Sequence, residues 1–427
     1  MTLTPEGYRS RLIEKELTVA LNAAGAVAIE GPRSCGKTWC ARHLSESECS
    51  LTDPSNGFLN LEMARMDAMN ALPGEAPHLI DDWQEAPKIW DAVRYTVDGS
   101  EQCGRFVLTG SASADISKIM HSGAGRIITM RMRTMSLFES GESSGEISLQ
   151  GLFDGQFENV LGESRPFDEL ARLIIRGGWP GLLKKSETEC IATLGEMHYR
   201  IAETDVRMIG GVRRDSGKLL ETMRALAKSE STVASKSKIA SIVRESEDGT
   251  VEEETVAEYI RVLEKLFVIE NQPAFHPRCG SSVRVAKAPK RHFTDPSLAA
   301  AALGIDGESL KKDLKTFGSL FEALCERDLR IYAQTFGGTL CHYRDHSGRR
   351  IDAVVEVPGK GWGAFDIRLG GNQTDEAASN LLSIDGFIRN DGKAEPPLFL
   401  CVISGTEVFA HRRPDGVYVV PIRMLGP

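Results

Sequence analysis

The sequence predicts an α/β fold that opens on a parallel sheet covered by helices, and three observations carry this. Between Ala26 and about Phe138, short apolar runs alternate with helical stretches and turn signals. A glycine-rich turn, Gly31-Pro-Arg-Ser-Cys-Gly-Lys-Thr38, joins the first of those runs to a helical segment. A second set of apolar runs, after about Leu310, ends the chain. The first set comprises AVAIE (26–30), GFLNL (57–61), HLIDD (78–82) and RFVLTG (105–110). Strands spaced by helices in this way read as parallel neighbours buried on both faces.

The opening MTLTPEGYRSRLIEKEL has no apolar stretch of the secretory kind and reads as an amphipathic helix leading into the fold. The serine- and glycine-rich stretch Ser140 to Gly145 reads as a loop. The pattern then turns helical to about Gly211, interrupted by Arg176-Gly-Gly-Trp-Pro-Gly181, whose glycines and proline mark a tight reversal. From Ser216 come three helical periods, SGKLLETMRALAKS, KSKIASIVRE and EEETVAEYIRVLEKLFVI, then a basic, β-prone segment SSVRVAKAPKRHF. Three helices with a two-stranded wing predict a winged helix. The helix SLFEALCERDLRIYAQ leads into strands CHYRD, RIDAVVEV, GAFDIRL, LFLCVIS and VYVVPI, a mixed sheet that closes the chain.

Composition narrows the class. With 427 residues, the chain is long enough for roughly two to four domains. Apolar residues make up 41% and charged residues 26%, which excludes wholesale disorder. No run of about 18 apolar residues exists, so no spanning helix is expected and no membrane partner. The nine cysteines form no CxxC pair, which points to reduced thiols in a cytoplasm. A net charge of −9 opposes bulk binding to phosphate backbones and leaves only a local basic face for nucleic acid.

The turn at 31–38 fits GxxxxGK[ST] in full, between a strand and a helix, which is the context a phosphate-binding loop needs. Gly31 and Gly36 let the backbone wrap a β-phosphate with N–H groups inward, and Pro32, Arg33, Ser34 and Cys35 complete the cradle. Lys37 neutralises phosphate charge, and the Thr38 hydroxyl ligates Mg²⁺, so ATP and Mg²⁺ are the cofactors this loop calls for. Asp81 and Asp82 end an apolar strand. Asp81 would hold magnesium through water, and Asp82 would orient or deprotonate the attacking water; a turn-forming aspartate pair before Trp83 is the plain alternative. Thr109 or Ser111, at the end of FVLTGS, could sense the γ-phosphate or simply cap a helix. Arg126 is a candidate charge-stabilising arginine, or a solvated surface residue. Cys35 reads as a small tolerated residue, with a redox switch as the lesser option.

These segments together resemble the prokaryotic AAA-type ATPases that carry a C-terminal domain of unknown function related to the PD-(D/E)xK nuclease fold. The resemblance rests on GPRSCGKT, LIDDWQEAP, FVLTGSA, GRI with MSLFE, RGGWPG, VAEYIRVLEKLFVI, KAPKRHFTDPSLAAAALG, GSLFEALCERDL and YRDHSGRRIDAVVE, and so spans nearly the whole chain. It implies ATP binding, hydrolysis and a three-module architecture, and the pattern along the chain sets the expected boundaries at 1–150 for the P-loop ATPase core, 151–213 for a helical lid, 214–300 for the winged helix and 301–427 for a restriction-endonuclease-like α/β domain. The family usually has Asp-Glu where this chain has Asp81-Asp82. The shorter acid implies slow hydrolysis.

A PD-(D/E)xK site needs two carboxylates for Mg²⁺ and a lysine beside the attacking water. Asp352 and Asp366 fall where the metal ligands would, with Glu322 on the preceding helix to complete the acids. Arg368 stands where the lysine should, and its guanidinium stays protonated and is no base. A nuclease-like fold kept for structure or recognition is therefore expected. His342, His346 and Cys341 lack metal-ligand spacing and read as packing and loop residues. In the winged helix, Glu252, Glu253, Glu254, Glu258 and Glu264 outnumber Arg261 and Lys265 on the third helix, which opposes groove binding. Arg284, Lys287, Lys290 and Arg291 make the wing basic. The expected function is an ATPase switch acting on an unidentified protein or nucleic acid. An ATP-regulated nuclease using Asp352 and Asp366, and a non-hydrolysing nucleotide-binding interaction protein, stand as alternatives; no motif sets the oligomeric state.

Overall fold

The computed structural model describes residues 3–111, 119–163, 167–209, 214–246, 251–276, 288–391 and 395–427. The chain divides into two compact units, Met1–Thr134 with Thr204–Arg213 and Val262–Val268, and Met135–Glu203 with Arg214–Arg261 and Ile269–Pro427.

The first unit is built on five strands, β1 (Ala26–Glu30), β2 (Ser47–Ser50), β3 (His78–Asp81), β4 (Phe106–Gly110) and β5 (Ile127–Arg131). They lie in the order β2-β3-β4-β1-β5, and every pairing is parallel. Helices α1 (Glu14–Ala23), α2 (Lys37–His43), α3 (Leu59–Met66) and α4 (Lys88–Asp98) accompany them. The central strands are continuous apolar runs because both faces are covered: β4 is buried throughout and β1 all but its last residue. On α4, Ile89, Trp90, Val93 and Val97 fall on one stripe and pack with Ile80, Trp83, Phe106 and Leu108.

Three of the four expected strands form where their apolar runs lie. GFLNL does not. Gly57 and Phe58 turn through positive φ (71° and 61°), and Leu59 starts a helix. Apart from Asn60 the segment LNLEMARM consists of good helix formers, while Phe58 and Leu59 are left exposed. The strand beside β3 is Ser47–Ser50, which carries no apolar signal because it sits at the sheet edge.

Onward along the chain come α5 (Leu137–Ser140), β6 (Ile147–Ser148), α6 (Leu149–Phe153), β7 (Val160–Leu161), α7 (Phe167–Arg176) and α8 (Glu187–Arg200), then the short α9 (Val206–Met208) in the first unit. Three helices, α10 (Ser216–Lys228), α11 (Lys236–Ser246) and α12 (Glu253–Lys265), precede the antiparallel pair β8 (Ile269–Gln272) and β9 (Lys290–Phe293). Next are α13 (Pro296–Leu303), α14 (Gly307–Lys312) and α15 (Leu314–Gln334). Strands β10 (Thr339–Arg344), β11 (Arg350–Val357), β12 (Gly361–Arg368), β13 (Phe399–Ser404), β14 (Phe409–Arg412) and β15 (Tyr418–Pro421) follow, with α16 (Thr374–Asp391) between β12 and β13 and β16 (Leu425–Gly426) at the end.

The second unit holds a seven-stranded mixed sheet in the order β10-β11-β12-β13-β15-β14-β7. β10, β11 and β12 form an antiparallel meander, and β12 pairs in parallel with β13 after the α16 crossover. Ala377, Ala378, Leu381, Ile384 and Ile388 of α16 pack on Tyr343, Val354, Ala364 and Val402. Helix α15 is buried along most of its length, charges included. Those charges anchor a junction. Arg327 donates to Asp295 (3.0 Å) and Asp328 (2.7 Å). Asp295 also accepts the Gly178 N–H (2.9 Å), and Asp328 the Leu137 N–H (2.9 Å). Trp179 donates through its indole to Ser297 (2.9 Å). The tight reversal at 176–181 is thereby held: Gly177 sits at φ 67°, and a Cβ on Gly178 would lie 2.0 Å from the Met135 carbonyl. Among the described residues, no helix is long and apolar enough to cross a membrane.

Candidate functional site

β1 delivers the loop 31–38 to the C-terminal edge of the parallel sheet, where β3 and β4 also end. The loop packs so closely on the segment just after β5 that a Cβ on Gly31 would lie 2.1 Å from the Met132 carbonyl, and Gly36 takes φ 104°. Only glycine suits either position. Lys37 is buried and its ammonium donates to the carbonyls of Gly31 (3.0 Å) and Pro32 (2.8 Å), spanning the loop. Arg11, also buried, donates to the Cys35 carbonyl from behind (2.8 Å) and to the Arg133 carbonyl (2.9 Å). The Cys35 thiol is buried against the Met132 carbonyl (3.8 Å).

The register Asp81↔Thr109 puts the end of β3 beside the end of β4, and there the acid and hydroxyl residues meet. Thr38 Oγ1 donates to Asp81 Oδ1 at 2.8 Å, and the Thr109 hydroxyl donates to the same oxygen. Burial pushes the Asp81 carboxyl above its ordinary range, with Asp82 adding repulsion and the two hydroxyls opposing. A buried carboxylate already bonded to the threonine of the loop suits a divalent cation bridging the pair. Asp82 follows at φ 58° and accepts from Thr52 (3.2 Å) and Gln84 (3.0 Å), while its N–H donates to Thr109 (3.3 Å). Ser111 follows β4 and is partly buried, one residue beyond Gly110 on the strand beside β1.

Arg126 is not at this edge. It precedes β5, whose Ile127 pairs with Ala26 at the start of β1, so it lies at the N-terminal edge, roughly 15 Å or more from the loop. There it is half exposed and ion-paired with Asp98. The expected role in charge stabilisation is corrected accordingly within this chain. The sequence could not reveal it, because a residue just before a strand looks like one just after until the strand is found.

Two residues that the sequence left aside, Glu85 and Asp205, reach the loop's edge. Glu85 stands on the turn after Asp82, and burial with Asp82 nearby raises its carboxyl, with Arg65 and Arg33 opposing. Arg33, from the loop itself, pairs with Asp205 at 3.1 Å. The spacing Asp82-x-x-Glu85 on a helical turn was the available signal for the first; nothing local signalled the second.

In the second unit, β11 and β12 pair with Ala353 opposite Phe365, so Asp352 stands next to Asp366. Asp352 Oδ2 accepts the Ile367 N–H at 3.1 Å. Burial, and then Asp352, push Asp366 up to about 7. Arg368 pairs with Asp366 at 2.9 Å, and Asn380 of α16 donates to it at 2.9 Å. Lys290, expected on an exposed basic wing, is instead buried: its ammonium pairs with Glu322 and with Glu326 (2.6 Å) and donates to the Asp352 carbonyl (3.1 Å). Arg291 donates to the Ala234 carbonyl (2.6 Å). Lys290 leaves the surface and Arg291 is half-buried, because carboxylates and carbonyls beside their strand engage both groups. Arg284 and Lys287 lie outside the described residues. His342 and Cys341 are buried, His342 bonded to the Ala288 carbonyl (3.1 Å) and held down to about 4 by burial, as packing residues should be. Among the described residues, no group of three or more His, Cys, Asp or Glu is arranged to hold a metal ion.

Comparison with known proteins agrees with the first of these sites. Residues 23–140 match the family model of an AAA domain, and residues 167–309 match a domain of unknown function (DUF8612). An uncharacterized protein of Mycobacterium tuberculosis is 25% identical over 354 residues, covering 82% of this chain and 71% of the relative, and one of Mycobacterium bovis matches equally. Among solved structures, a Walker-type ATPase of Pyrococcus abyssi aligns with a TM-score of 0.43 at 13% identity, over 70% of this chain and 99% of its own. A replication initiator DnaA bound to AMPPCP and single-stranded DNA aligns at 0.28 and 16% identity, over 60% and 89%. The AAA match and the loop geometry support an ATP-binding P-loop ATPase in the first unit.

Proposed function

We propose that this chain is a magnesium-dependent ATPase whose nucleotide occupancy switches how its remaining segments meet a partner. The observation that carries the reading is the 2.8 Å bond between Thr38 and Asp81, which joins the loop hydroxyl to the strand acid that would share one magnesium ion. Lys37 and the loop N–H groups bind the phosphates, and Asp82 orients the attacking water. Thr38 and Asp81 would hold the magnesium ion, which would supply neutralisation of phosphate charge. Thr109 or Ser111, at the end of β4 beside Asp81, would be the residue to sense a change at the γ-phosphate.

For the C-terminal sheet we favour recognition over cutting. Asp366 is engaged by Arg368 and Asn380, and the ammonium of Lys290 already offsets Glu322 and Glu326. The three helices and the β8–β9 pair make a winged helix whose role is packing and not groove binding, since Lys290 and Arg291 already have partners.

Equilibrium titration with a fluorescent ATP analogue, with and without Mg²⁺, tests the nucleotide site. Lys37→Ala is expected to weaken binding by about 1.5–3 kcal/mol, the usual range for a charge-assisted contact. Thr38→Ala should leave magnesium-free binding intact and abolish the gain on adding Mg²⁺. Wild-type affinity in Lys37→Ala would remove the assignment.

A further inference from the structure

We infer that Arg11 is a positioning residue for the phosphate loop: by gripping the Cys35 carbonyl it turns the Gly36 N–H toward bound phosphate. The inference rests on the ATP-binding reading and adds a residue outside the loop motif.

The geometry is that of one peptide plane. In a trans peptide the carbonyl and the following N–H point in opposite directions. Arg11 Nη1 donates to Cys35 O at 2.8 Å, so the Gly36 N–H is directed away from Arg11. Gly36 itself, at φ 104°, is a residue whose backbone tolerates several orientations, so something else must choose one. A second grip fixes the guanidinium. Nη2 donates to Arg133 O at 2.9 Å, in the segment whose Met132 carbonyl contacts Gly31 and the Cys35 thiol. The base of the side chain is held as well, because the Arg11 N–H donates to Glu14 of α1, which also accepts from Tyr8 (2.6 Å). Arg11 is 6% exposed, so these bonds are made in a medium where leaving a carbonyl unpaired is costly. A planar fork with two donor nitrogens suits two carbonyls at once, and an ammonium cannot span them in the same way.

The test uses the full chain and three ligands, ATP, ADP and AMP, titrated by competition against a fluorescent ADP analogue. Arg11→Ala should weaken ATP and ADP by about tenfold to a hundredfold, the cost of one misdirected charged contact. AMP, which lacks the β-phosphate that Gly36 would meet, should bind as to wild type. Arg11→Lys should fall between, and free guanidinium should restore part of the affinity of Arg11→Ala. If Arg11→Ala does not fold, the lysine variant carries the same comparison. Equal ATP affinity in wild type and both variants, or equal losses for AMP and ADP, would overturn the inference. Failure of wild type itself to bind ATP would instead overturn the ATP-binding reading.

Discussion

At the scale of single residues, the site depends on which side chains a strand end can bring within bonding reach. Lys37, Thr38 and Asp81 do this through the carbonyls of the loop and one carboxylate oxygen. Asp82 differs: it stands at φ 58°, a conformation that aspartate and asparagine tolerate better than most residues, and its oxygens accept from Thr52 and Gln84. Asp82→Asn therefore preserves the backbone and removes the charge. It should bind ATP nearly as wild type and turn it over at least about a hundredfold more slowly, within the range that proton transfer contributes. Steady-state phosphate release decides the matter, and equal rates would make Asp82 a turn residue. Asp82→Glu should raise turnover if reach limits the reaction, since one methylene brings the acid closer to the γ-phosphate.

Elements show where the sequence spoke and where it stayed silent. β1, β3 and β4 were legible because strands buried on both faces are apolar runs, and the phosphate loop because its glycines and lysine are chemically irreplaceable. β2 was hidden since an edge strand needs no apolar run, and GFLNL misled because strand-like and helix-like runs look alike over five residues. β11 and β12 were legible, down to Asp352 beside Asp366, yet the fate of Lys290 was not. Whether a basic residue on a short strand faces water or carboxylates depends on partners more than thirty residues away, here Glu322 and Glu326. The β11–β12 pair also sets a pH dependence. Asp366, pushed up to about 7, holds its proton in the folded state where the unfolded chain has lost it. Its contribution to stability is full below the ordinary aspartate pKa, falls as pH rises toward about 7, and is gone above that. Denaturant midpoints between pH 4 and 8 should decline more steeply for wild type than for Asp366→Asn. Parallel profiles would show that Asp366 ionises normally.

At the scale of the whole molecule, the proposal of a nucleotide-driven protein whose C-terminal sheet recognises and does not cut rests on charge and on the partners of a few side chains. A net charge of −9 gives no long-range attraction to nucleic acid, and Lys290 and Arg291 of the basic segment are turned to internal carboxylates and carbonyls. Cleavage would further require a free metal position and a base. Asp366 is instead held by Arg368 and Asn380, and Lys290 bonds to Glu322 and Glu326, so an ammonium neutralises the acids that a second cation would otherwise occupy. Single- and double-stranded DNA and RNA incubated with the protein and Mg²⁺ or Mn²⁺, with and without ATP, should remain intact. Cutting that vanishes in both Asp352→Ala and Asp366→Ala would reverse this conclusion. Arg368→Lys separates two ways of being inactive. A gain of cutting would mean that the carboxylates still accept a metal and only the lysine was missing. No gain, even after Lys290→Ala frees the neighbouring acids, would leave the sheet a recognition module, with Arg368 serving to hold Asp366 in place.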